Sequence, residues 1–166
     1  RAMIERVYAA LSAVCRKVVL VGDARGVPSA LDGVPRVPDR LPALGPLGGL
    51  EALLGSNLDS EYLIAPCDLP EVVPDVFRHL VAPGVTAPAV LGVEGEEHIE
   101  PLVARYATSV CPILEDMIRE DTLAMHELAR RSRAQVVRVP RGLASALRNA
   151  NAPEALGDTT APAGGR

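Results

Sequence analysis

Three short apolar runs, separated by helical patterns and turns, constrain the fold of this chain more than any other feature. Lys17-Val-Val-Leu-Val21 ends at Gly22-Asp23, Tyr62-Leu-Ile-Ala65 ends at Pro66, and Gln135-Val-Val-Arg-Val139 ends at Pro140. The first two are continuous runs with no polar alternation, which reads as strands buried on both faces of a parallel sheet. Between the runs lie amphipathic helices. Residues 2–14 place Met3, Ile4, Val7, Tyr8, Leu11 and Val14 at spacings of three and four, one apolar face of a helix. Residues 47–56 predict a second helix, and Pro74 suits the first turn of a third running to about Ala82. Residues 86–93 and 99–106 read as two strands around the polar turn Glu94–His98, and Val34–Val37 as a short extended piece. Ser109 is placed to cap a helix through about Arg119, and Asp121 or Thr122 another through about Arg131.

This alternation predicts the α/β class: a three-layer αβα arrangement around a mostly parallel, Rossmann-like sheet. Such sheets open on a strand followed by a ligand-binding loop, whereas this chain opens on a helix. The expectation is that the first strand is missing from residues 1–166. Residues 1–156 are expected to form one domain, and 157–166, small and polar, a disordered tail.

Composition removes several functions. The hydrophobic fraction is 48% and the charged fraction 23%, ordinary for a globular protein. Aromatics are only 2%, and the net charge is −4. With no long basic block and no stacking platform, nucleic acid is not an expected partner. No apolar run approaches the roughly 20 residues that span a bilayer, so no membrane association is expected. Cys15, Cys67 and Cys111 are odd in number and scattered, as reduced thiols in a cytoplasmic protein are. His79, His98 and His126 are likewise isolated, surface or partly buried residues rather than metal ligands.

Chemistry can reside in three places. Asp68, in Pro66-Cys-Asp-Leu-Pro70, follows a predicted buried strand, and ligands bind at the carboxyl ends of such strands. It can hold Mg²⁺, which takes one or two carboxylates plus substrate phosphates, or it can be a turn aspartate. In Pro38-Asp-Arg-Leu-Pro-Ala-Leu-Gly-Pro-Leu-Gly-Gly49, Gly45, Gly48 and Gly49 let the backbone approach a ligand at a helix start. Asp39 there can accept hydrogen bonds from a base or sugar; the alternative is a tight loop-to-helix junction. Asn149 and Asn151, in Asn149-Ala-Asn-Ala-Pro-Glu154, present paired amide donors and acceptors if extended, or simply form a turn.

Order adds information that each motif lacks. An Asp-x₅-Gly-Pro-Leu-x-Gly loop, a strand followed by Pro-Cys-Asp-x-Pro, and a late Asn-x-Asn-x-Pro-Glu together resemble the molybdenum cofactor guanylyltransferases. These belong to the nucleotidyltransferase branch of the GT-A-like fold. Ile99-Glu-Pro-Leu-Val-Ala-Arg-Tyr106 is similar to that family's strand with a Pro-Leu pair, and the resemblance runs from about Arg1 to Leu156. It implies GTP and the molybdopterin cofactor as partners, with molybdoenzyme-maturation proteins beyond them. The implied reaction joins GMP to molybdenum-bound molybdopterin and releases pyrophosphate. By the same resemblance Asp68 binds catalytic Mg²⁺, Asp39, Gly45, Gly48, Gly49 and Asp23 contact the nucleotide, and Asn149 and Asn151 contact the substrate. Two departures stand out. The family's glycine-rich triphosphate loop has no counterpart in residues 1–166, and Asp23 replaces the family's usual Asn. A related cytidylyltransferase, or a non-catalytic nucleotide- or partner-binding remnant, are the alternative readings.

Overall fold

The structure, a computed structural model, describes residues 2–23 and 26–150. In chain order the elements are α1 (Met3–Ser12), β1 (Leu20–Val21), β2 (Arg36–Val37), α2 (Gly45–Leu54), β3 (Glu61–Ile64), α3 (Pro74–Leu80), β4 (Ala89–Val93), β5 (Ile99–Ala107), α4 (Cys111–Arg119), α5 (Met125–Arg131) and β6 (Gln135–Val139). Short 3₁₀ segments occupy Ser29–Leu31, Thr108–Val110 and Arg141–Leu147.

The strands form two sheets. β3, β5, β4 and β6 make a four-stranded sheet in that order, and β1 pairs with β2 alone. β1 is parallel to β2 and β4 is parallel to β6, whereas β5 runs antiparallel to both β3 and β4. Three of the four strands, β3, β4 and β6, thus share one direction and β5 alone opposes them, a mostly parallel sheet with one antiparallel member. The polar turn at Glu94–His98 is short enough to join β4 and β5 only as a hairpin, which fixes their opposed directions. Helices cover both faces, as the three-layer expectation requires. On one side α1, α3 and the 141–147 segment pack against Ala89, Leu91, Val93, Val103 and Val139. On the other, α2, α4 and α5 cover Val90, Ala104 and Tyr106. β4, flanked by strands and covered on both faces, is buried along its whole length, and the buried Tyr106 hydroxyl donates to the Pro101 carbonyl at 3.0 Å.

Local chemistry explains most boundaries. Pro74 occupies the first turn of α3, with Asp75 near its amino end and Arg78 and His79 in its last turn, each complementing the helix dipole. The caps expected further on are different. Pro112 falls in the first turn of α4 and the preceding residues 108–110 form a 3₁₀ turn, so Val110 is the N-cap and Ser109 caps nothing. Asp121 takes a left-handed conformation, φ 56°, at the end of α4, and Ala124, rather than Asp121 or Thr122, precedes α5.

The first two apolar runs are less buried than continuous apolar sequence predicts. Of Lys17–Val21 only Leu20 and Val21 enter a ladder, and Val21 is 39% exposed. Tyr62, Leu63 and Ile64 of β3 are half-buried. The physical reason is a gap. Both runs border the space between the two sheets.

Candidate active-site cleft

That space is a cleft of about 1500 Å³ lined along its length by residues 16–23 on one wall and 59–68 on the other. Asp23, Asp39, Gly45, Gly49, Asp68 and Asn149 all line it. Motifs dispersed from residue 23 to residue 149 therefore share one cavity.

On the first wall, the β1–β2 ladder carries the chain to its two polar ends. The Gly22 amide donates to the Val37 carbonyl at 2.9 Å, which sets the Gly22-Asp23 turn beside Pro38-Asp39. Gly22 has φ 94°, and a β-carbon built on it would lie 3.5 Å from Asp39 Oδ2. A side chain there would be strained and would crowd the Asp39 carboxylate. Gly49 serves the same neighbourhood: its β-carbon would sit 3.4 Å from Val21 Cγ1 and 3.8 Å from Asp39 Oδ1. The small residues of the loop thus hold Asp39 over the first turn of α2. Gly45 has φ 57° and is exposed, while Gly48 is buried, where a β-carbon would press within 2.9 Å of Leu44 Cβ. Gly48 is accordingly a packing glycine, and Gly45 a turn glycine at the rim of the cleft.

On the second wall, Asp68 follows β3 between exposed Cys67 and fully buried Leu69. Leu69 inserts into the core cluster shared with α1, α3 and Leu147, so the Asp68 backbone is pinned from the next residue. Its carbonyl also accepts the Ala150 amide at 2.9 Å. That bond draws Asn149 to the same place, and the Asn149 side-chain oxygen is shielded from solvent with no hydrogen-bond partner. A shielded, unpartnered amide oxygen is costly, and its position on the cleft gives a ligand something to satisfy. Asn151 lies outside the described residues.

The cations divide into engaged and cleft-facing groups. Arg40 pairs with Glu51 at 3.4 Å. Arg105 is held by Glu61 and donates to the Val85 carbonyl at 3.2 Å. Arg16, Lys17 and Arg36 also line the cleft. Among the described residues no group of three or more His, Cys, Asp or Glu is arranged to hold a metal by itself. His98 and His126, isolated in sequence, lie with ring centroids 5.9 Å apart, and His98 contacts Glu100 at 2.7 Å. The three cysteines are free thiols; burial pushes the Cys15 thiol up, and burial followed by Glu115 and Glu51 does the same to Cys111. Sequence reasoning passed over Gly22 and Asn149's link to Asp68. The Val-Gly-Asp turn ending a β-branched run was the available signal for the first, and a tertiary bond across the fold left no signal for the second.

Residues 1–137 match the family model described as a MobA-like NTP transferase domain. The chain belongs to this family. Three curated relatives, each named "Probable molybdenum cofactor guanylyltransferase", show the same kinship. The Flavobacterium johnsoniae protein is 25% identical over 74% of this chain and 65% of its own length. The Pelotomaculum thermopropionicum protein is 29% identical over 71% and 57%, respectively. The Carboxydothermus hydrogenoformans protein is 31% identical over 68% and 56%. The chain thus spans between about half and two thirds of the length of these relatives. Among solved structures, an Aquifex aeolicus protein superposes with a TM-score of 0.79 at 23% identity, covering 90% of this chain and 79% of that one. Molybdopterin-guanine dinucleotide biosynthesis protein A from Archaeoglobus fulgidus superposes at 0.56, with 22% identity over 90% and 69%. These likenesses support the GT-A-like nucleotidyltransferase fold. No helix among the described residues is long and apolar enough to cross a membrane.

Proposed function

We propose that this MobA-like chain is the nucleotidyl-transferring body of a molybdenum cofactor guanylyltransferase. The observation that carries the reading is the meeting of Asp68 and Asn149 on one cleft, joined through the Ala150–Asp68 hydrogen bond. The curated relatives are named molybdenum cofactor guanylyltransferases, and the resemblance to that family implies the substrate pair, GTP and molybdenum-bound molybdopterin. In the reaction a phosphate oxygen of the pterin attacks the α-phosphorus of GTP. The bond from that phosphorus to the bridging oxygen breaks, and pyrophosphate leaves.

The Asp68 carboxylate is a hard oxygen ligand, which suits Mg²⁺ held jointly with substrate phosphates. Mg²⁺, when bound, neutralises triphosphate charge. The protein's own part is positional. Asp68 holds its carboxylate on a backbone fixed by Leu69. Asp39, over the Gly22 turn, accepts from a base or ribose. The amino end of α2, at Gly45, favours anionic groups. Asp23 lines the same cleft, at the turn after β1.

The test is pyrophosphate release from GTP by the full chain with Mg²⁺ and molybdenum-loaded molybdopterin. Asp68→Asn is expected to lower kcat at least about 100-fold, and Asn149→Ala to raise KM about tenfold with a smaller effect on kcat. Turnover with CTP in preference to GTP would reassign the chain to cytidylyl transfer. Saturable GTP binding without turnover favours the binding-only reading.

A further inference from the structure

Asp39 and Arg40 meet α2 at two separate places. Asp39 lies over the first half of the helix, where a β-carbon built on Gly49 would sit 3.8 Å from Oδ1. Arg40 reaches the other end. Its Nη1 lies 3.4 Å from Glu51 Oε1 and rests against Gly55, the C-cap of α2, where an added β-carbon would overlap the guanidinium. From Gly49 to Gly55 the helix rises about 9 Å, so two neighbouring side chains of one loop are spread along it. A cation at the carboxyl end of a helix also complements its dipole.

Glu51 fixes the pairing. Its side chain is 17% exposed and that of Arg40 58%, so the carboxylate belongs to the packed helix and the cation comes to it. Glu51 Oε2 is shielded from solvent with no hydrogen-bond partner, and among the described residues Arg40 alone forms an ion pair with Glu51. The nearby α4 adds negative charge instead: burial, then Glu115 and Glu51, push the Cys111 thiol up. A shielded carboxylate in such surroundings favours keeping its cation. On the other side of Asp39, Val37 is held in the β1–β2 ladder and packed with Ala52 and Leu53. Beyond Arg40 the loop is loose: Leu41 is 40% exposed, Ala43 has φ 62°, and residues 40–44 join no strand. Between Val37 and the start of α2, Arg40 is therefore the fastening nearest Asp39.

We propose that Arg40, seated by Glu51 and Gly55, is a positioning residue that holds the Asp39 carboxylate at its place on the cleft and so sets affinity for the base or ribose of the nucleotide. The effect on affinity rests on the part given to Asp39 in the proposed nucleotide transfer; the positioning itself is readable without nucleotide. Arg40 acts through Asp39 and not on the reacting phosphates.

The experiment compares the full chain with Arg40→Ala, Gly55→Ala and the double variant. Gly55 has φ −76°, open to alanine, so that substitution displaces the guanidinium and leaves both charges in the chain. With no nucleotide present, NMR reads exchange of the Gly22 amide, whose bond to the Val37 carbonyl closes the ladder beside Asp39. Each single variant is expected to speed that exchange about fivefold, the upper range for a partly exposed ion pair. The double variant should go no further than either single, since both remove one contact. With Mg²⁺ and molybdenum-loaded molybdopterin, KM for GTP is expected to rise about fivefold while kcat changes less than about twofold, and Arg40→Lys should restore part of the affinity. Unchanged Gly22 exchange in the single variants would overturn the positioning role, whatever the turnover. So would additive effects in the double variant, an unchanged KM in a chain that turns over GTP, or a kcat that falls as far as kcat/KM. A wild-type chain that neither binds nor turns over GTP would refute the proposed function instead, and Gly22 exchange would then decide by itself whether Arg40 positions Asp39.

Discussion

Replacing Leu69 by Ala tests the reasoning that places Asp68. Leu69 is fully buried among Val72, Val76, Phe77, Leu91 and Leu147, one residue beyond the carboxylate. Leu→Ala removes three carbon atoms, worth about 2.5 kcal/mol at roughly 0.8 kcal/mol for each buried methylene-sized group. Incomplete collapse of the surrounding core adds a cavity term, bringing the expected loss to about 3–4 kcal/mol. For a chain of 166 residues that corresponds to a melting temperature lower by about 6–16 °C. Urea unfolding followed by far-ultraviolet circular dichroism measures it, with the midpoint lowered and the slope unchanged. Cys67→Ala, two positions away but exposed, is the control and should change stability by less than about 0.5 kcal/mol. A Leu69→Ala loss below about 1 kcal/mol would refute the claim that this side chain anchors the Asp68 backbone. If the anchor holds, the folded variant at low temperature should also transfer nucleotide more slowly, because the carboxylate has lost its fixed neighbour.

Two further predictions concern ionisation. Hydrogen bonds from Arg130 and then Arg131 lower the Glu127 carboxyl from 4.5 to about 2. Its depressed folded value means that its contribution to stability is complete above about 4.5 and is lost as the pH falls towards 2; an NMR titration of Glu127 should show the low midpoint, and Arg130→Ala should move it back towards 4.5. Burial pushes the Tyr106 phenol well above its ordinary value of 10.0, so it favours the fold fully below pH 10 and progressively less above it, where the unfolded chain ionises first. Alkaline unfolding curves should be flatter in Tyr106→Phe, which also forfeits the bond to Pro101, worth about 1 kcal/mol.

The sequence carried the elements whose stabilising partners are close along the chain. Ala89–Val93 and Ile99–Ala107 were readable because a short polar turn joins two strands, and α3 because Pro74 marks its start. Ser109 misled because a capping side chain competes with a proline in the first turn and with a preceding 3₁₀ turn. The apolar runs at 17–21 and 62–65 were readable as strands, but their half-burial was not, since exposure depends on what lies across the gap. At the candidate site, residue identities and order were legible. Proximity was not: Asp39 reaches Gly22 through the β1–β2 ladder, and Asn149 reaches Asp68 through a bond from a residue far along the chain. Neither distance leaves a trace in local patterning.

The hydrogen bond from the Ala150 amide to the Asp68 carbonyl closes a ring of chain that contains α3, β4, β5, α4, α5 and β6. Both sides of the closure are seated in one core cluster, by Leu69 and by Leu147. Length changes elsewhere on the ring, such as insertions in the turn between α4 and α5, can be absorbed without moving the closure. A single added residue between Leu147 and Ala150 cannot, because it shifts the register of Asn149 against Asp68. Homologous chains should therefore vary freely in length across most of this ring and hold their spacing fixed over the last few residues before it closes.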